Sequence, residues 1–69
     1  MKDLLTSALS FNCPFDNHTI VAYVEYGIEG HYESEVLTLS APSTQDVMMR
    51  VFMLNKAGMD IVHVKFLQG

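Results

Sequence analysis

Apolar positions along the chain switch between a helical and a strand period, and the switches mark successive elements. Leu4, Leu5, Ala8 and Leu9 recur at helical spacing over residues 3 to 9, which predicts a helix of about two turns. So short a helix needs tertiary support. Cys13-Pro14 breaks this pattern, and Asp16-Asn17 suits a turn. From His18 to Tyr26 the chain is rich in β-branched and aromatic residues. Ile20, Ala22, Val24 and Tyr26 share one face of the predicted strand, and Thr19, Val21, Tyr23 and Glu25 the other. Gly27 to Gly30 is a short connection with two glycines free to take positive φ.

His31 to Leu39 reads as a second strand with mixed faces. Tyr32, Ser34, Val36 and Thr38 lie on one side, and Glu33, Glu35, Leu37 and Leu39 on the other. A strand without a clean apolar face twists, bulges or lies at an edge. Ser43 and Asp46 form a variant capping box, with Asp in place of Glu or Gln, before a helix predicted from about Thr44 to Ala57. Gly58 is positioned as its left-handed C-terminal cap. On a helical wheel Val47, Val51 and Leu54 make the core stripe, flanked by Met48, while Met49 and Met53 fall away from it. Asp60 to Leu67 is the last strand, with Val62, Val64 and Phe66 on one face and Ile61, His63, Lys65 and Leu67 on the other.

The predicted fold class is therefore α+β: a short N-terminal helix followed by β-β-α-β. A right-handed crossover returns the last strand beside the first. This gives a three-stranded antiparallel sheet of order 2-1-3, with one long helix packed on one face. Residues 1–69 form a single small domain. The first helix covers an end of the sheet, its second face, or another chain. With the long helix over Ile20, Val24, Val62, Val64 and Phe66, the expected outer face is Val21, Tyr23, Glu25, Glu33, Glu35, Ile61, His63 and Lys65. That is an apolar and aromatic centre with an acidic margin, the makeup of a binding surface.

Charge sharpens this picture. Eight acids against four bases leave the 69-residue chain at a formal −4. No Lys or Arg occurs between Lys2 and Arg50, whereas Glu25, Glu29, Glu33 and Glu35 crowd the predicted hairpin. Direct nucleic-acid binding needs Lys and Arg to neutralise phosphates, so none is expected. No apolar run approaches the ~20 residues that would span a bilayer, so no membrane partner is expected. Met1 to Leu9 lacks the basic start and long apolar stretch of a signal peptide, and the expected compartment is the cytoplasm.

Candidate chemistry is sparse. Cys13, His18, His31 and His63 are the soft metal ligands, but their spacing supplies no second paired half of a zinc site. Cys13, between Phe11 and Phe15, reads as a buried inert thiol and not as a nucleophile. Glu33 and Glu35 point to one side of a strand, yet acid–base work needs a pocket that pushes two pKa values apart. Gly27 and Gly30 join two strands and open no helix, unlike a phosphate-binding loop. Asn17-His18-Thr19 matches a glycosylation sequon, which matters only in a secreted chain. No enzymatic activity, catalytic residue, metal or cofactor is expected.

The expected function is a non-enzymatic protein–protein interaction module. Its acidic hairpin docks on a basic, nucleic-acid-binding surface of a larger protein. Glu25, Glu29, Glu33 and Glu35 supply charge, Tyr23 and Tyr32 serve as anchors, and Met49 and Met53 offer a second apolar contact. The alternative is a homodimeric structural or assembly protein joined through the sheet face or the Met49/Met53 stripe. A homodimer is expected because one apolar-centred sheet face stays open and so short a chain has little core to spare. A small metal protein or enzyme built on Cys13 and the histidines is the third reading. In size, charge and β-β-α-β core the chain is similar to the small inhibitors that phages make against host defence, such as anti-CRISPR proteins and nucleic-acid mimics. That resemblance implies action in the cytoplasm of a bacterial host.

Overall fold

The computed structural model describes residues 2–12 and 16–68. The predicted break at Cys13-Pro14 and the expected burial of Cys13 lie outside them. Five elements follow in the expected order: α1 (Lys2–Leu9), β1 (His18–Ile28), β2 (His31–Ala41), α2 (Thr44–Lys56) and β3 (Asp60–Gln68). The strands form one antiparallel sheet of order β2-β1-β3. This is the predicted α+β architecture.

β1 and β2 pair along their whole length, from His18 opposite Ala41 to Ile28 opposite His31. The connection is thus shorter than expected. Gly27 and Ile28 belong to β1, and the turn is Glu29-Gly30 alone, with φ of 47° and 89°. Positive φ at both central residues matches the type I′ twist that a two-residue hairpin favours. Gly27 lies between Tyr32 and Asp60 in the sheet, and a Cβ there would press on the ends of both side chains.

α2 begins and ends as its sequence specifies. Ser43 Oγ accepts from the Asp46 N–H at 3.2 Å and donates to the Asp46 carboxylate at 2.8 Å. At the other end Gly58 has φ 105°. Its N–H donates to the Asn55 carbonyl and that of Met59 to the Leu54 carbonyl, which is a Schellman cap. The Asn55 side chain then accepts from the Ile61 N–H at 2.9 Å, tying the cap to the start of β3.

Both helices lie on the same face of the sheet. Val47 and Val51 of α2 and Leu5 and Leu9 of α1 join Ile20, Ala22, Val24 and Tyr26 of β1 in one buried cluster. Leu37, Leu39 and Ala41 of β2 complete it beside α1. α1 is fastened there by polar contacts: Arg50 donates to the Ala8 carbonyl at 3.0 Å, and its guanidinium lies 4.2 Å from the Phe11 ring centre. Phe11 N–H donates to the Ser40 carbonyl, and the Asn17 amide to the Phe11 carbonyl. One helix cannot cover three strands, so α1 takes the part over β2 and the opposite face stays open.

β3 departs from the predicted alternation. Its register shifts between Glu25 and Tyr26, so Tyr26 faces Ile61 while Glu25 faces His63. The irregularity brings Ile61 into the core and leaves Val62 exposed, the reverse of the expected faces. Val64 and Phe66, opposite Val24 and Ala22, pack against the core as expected.

Candidate functional site

The acidic residues gather at the turn end of the β1–β2 hairpin, but on both of its faces. Glu25 lies on the open face beside Tyr23, whose hydroxyl donates to it at 3.4 Å. Tyr23 also meets the His63 ring edge-on, with centroids 6.3 Å apart. Glu33 and Glu35 are not with them. They stand opposite Tyr26 and Val24, on the helix-covered face. The expected grouping of Glu25, Glu33 and Glu35 on one outer face is thereby corrected. Leu37 and Leu39 are buried opposite Ala22 and Ile20, and strict alternation along β2 puts Glu35, half-buried, and Glu33, exposed at the end of the strand, on the same face.

This pair flanks a buried tyrosine. The Tyr26 hydroxyl donates to Glu33 at 3.4 Å, a long contact for an O–H···O bond. Burial, then the carboxylates of Glu35 and Glu33, push the Tyr26 hydroxyl above its ordinary pKa. One oxygen of Glu35 is out of contact with solvent and has no hydrogen-bond partner. A buried acceptor in that condition is costly, on the order of 1–3 kcal/mol.

Glu29 occupies the turn itself, exposed. Tyr32 lies opposite Gly27 and is 63% exposed. The register adds an acid that the sequence pattern missed: Asp60 pairs with Gly27 at the start of β3. With Glu29, His31 and Tyr32 it lines a shallow depression of about 130 Å³ over Gly27. The signal for Asp60 was tertiary, because only the pairing of β3 brings it to the hairpin end.

The second surface is α2. Met49 and Met53 are exposed, as expected, but they are not alone. Met48, expected to flank the core stripe and pack with it, is 42% exposed, and Phe52, outside that stripe, is 62% exposed. β3 is one of the two sheet edges, so the side of α2 that carries Met48 has no further strand beneath it. There Met48, Val51, Asn55 and Val62 border a groove of about 170 Å³. The spacing of Met49, Phe52, Met53 and Lys56 was the available clue to Phe52.

His18 and His31 are exposed at strand starts, whereas His63 lies mid-strand. Among the described residues no three His, Cys, Asp or Glu side chains gather to hold a metal ion. Among them, too, no helix is long and apolar enough to cross a membrane. The arrangement offers negative charge with an unsatisfied acceptor at one end, and an apolar helix face elsewhere. Comparison with protein-family models, curated proteins and solved structures finds no significant match to the chain.

Proposed function

We propose that the chain is a non-enzymatic protein–protein interaction module that docks on a basic surface of a larger protein through the turn end of its hairpin. The observation that carries this reading is the pair of carboxylates, exposed Glu33 and half-buried Glu35, gathered at the Tyr26 hydroxyl. A Lys or Arg from a partner would pair with exposed Glu33 in a charge-assisted bond. Glu25 and Asp60 on the open face and Glu29 at the turn extend the negative charge around the end. Charge on both faces suits insertion into a basic cleft better than contact with a flat surface. Exposed Tyr32 and half-buried Tyr23 supply aromatic contact beside the acids. Clefts of this sign are the ones that hold nucleic acid, so the module acts as a small inhibitor of the anti-CRISPR type.

The test is capture of basic proteins from bacterial lysate on the immobilised chain, at low and at high salt. Wild type retains a basic partner that elutes as salt rises. Glu33→Lys with Glu35→Lys loses it while circular dichroism stays unchanged. Equal capture by the folded double variant would sink the electrostatic reading.

A further inference from the structure

α2 is apolar on two opposite sides. Val47 and Val51 face the sheet and are buried, whereas Met49, Phe52 and Met53, at i, i+3 and i+4, face solvent with exposures of 62%, 62% and 61%. That spacing is the seam through which one helix reads another. We propose that this outward face binds a second copy of the chain, the two α2 helices packing antiparallel about a two-fold axis at the level of Val51.

Charge complementarity selects the partner and its direction. Asp46 and Lys56 lie equally far on either side of Val51, and so do Met49 and Met53. An antiparallel pair therefore sets Met49 against Met53 of the other copy and brings each Asp46 toward the opposing Lys56. A parallel pair would set like charge against like and align the helix dipoles unfavourably. Most of the molecule's negative charge stands away from the contact. Of its eight acids only Asp46 lies on α2, and the crowded ones sit at the hairpin end. Lys56 already leans over the Phe52 ring, 4.9 Å from its centre, and caps the seam as a rim residue.

The available area sets the strength. At about 200 Å² for a large side chain, Met49, Phe52 and Met53 offer about 370 Å² per copy. The rim residues Gln45 and Lys56 extend this toward the about 600 Å² per partner at which specific interfaces begin. The dimer is accordingly weak, with a dissociation constant on the order of 10–100 µM. This contact does not involve the acidic end, and it stands or falls apart from the docking proposed above.

Sedimentation equilibrium from about 1 µM to about 1 mM covers the transition. A reversible dimer is expected. Met49→Glu with Met53→Glu should weaken it more than about tenfold, with the circular dichroism spectrum unchanged because both side chains are exposed. A strict monomer at the highest concentration, or a dimer indifferent to the double change, overturns the proposal. Direction is read by oxidative cross-linking in a Cys13→Ser background. A chain carrying Met49→Cys should cross-link faster to one carrying Met53→Cys than to itself, and the opposite preference refutes the antiparallel arrangement.

Discussion

Glu35 occupies a position where the fold would otherwise bury an apolar side chain. It stands opposite fully buried Val24, one strand repeat from Leu37, and one of its oxygens reaches neither solvent nor a donor. Changing Glu35→Leu removes that orphaned acceptor, a gain of about 1–3 kcal/mol. It also adds apolar contact with Val24 and the core. Against this stands one Tyr26 contact, and the Tyr26 hydroxyl keeps Glu33. The net expectation is a stabilisation of about 1–2 kcal/mol. For a domain of this size that raises the melting temperature by roughly 4–15 °C. Urea denaturation at low micromolar concentration provides the measurement, with an unchanged slope as the sign that only stability moved. Low concentration matters because β2 is an edge strand, and inward acids on an edge discourage strand addition by other chains. If Glu35 serves a basic partner, the stabilised variant should bind that partner poorly, the trade common at functional positions. A Glu35→Leu protein less stable than wild type by more than about 1 kcal/mol would refute the reasoning, since the carboxylate would then be well satisfied in the fold.

The remaining expectations concern the backbone and pH. Gly58→Ala should cost about 1 kcal/mol by chemical denaturation, because a Cβ there meets open space and only the φ of 105° resists it. Glu29→Gly should raise stability by about 0.5–1 kcal/mol in the same assay, since Glu pays for a left-handed φ of 47° that glycine adopts freely. The Tyr26 hydroxyl is raised in the folded state, so its contribution is complete below an ordinary tyrosine pKa of about 10 and is lost as pH rises through the raised value. Melting temperatures measured from neutral to alkaline pH should therefore fall less steeply for Tyr26→Phe than for wild type.

How much of this protein was legible in the chain depends on how local each signal is. The caps of α2, the two-face pattern of β1 and the order of elements arise from residues a few positions apart. Ser43 with Asp46, and Gly58 after the last turn, act through bonds to their own helix. The 2-1-3 order follows from connection lengths and the crossover. Faces were another matter. The mixed pattern of β2 has an inward and an outward reading, and burial of Leu37 and Leu39 decided it, taking Glu33 and Glu35 with them. In β3 a register shift invisible in the pattern exchanged Ile61 and Val62. The meeting of Asp60 with the hairpin end, and the exposure of Met48 and Phe52, depend on which strand lies at the sheet edge and where α1 packs. Such facts come from pairings between residues far apart in sequence, and no local periodicity encodes them. The chain by itself determined its elements and their order, while packing decided which acids share a face and which apolar residues remain uncovered.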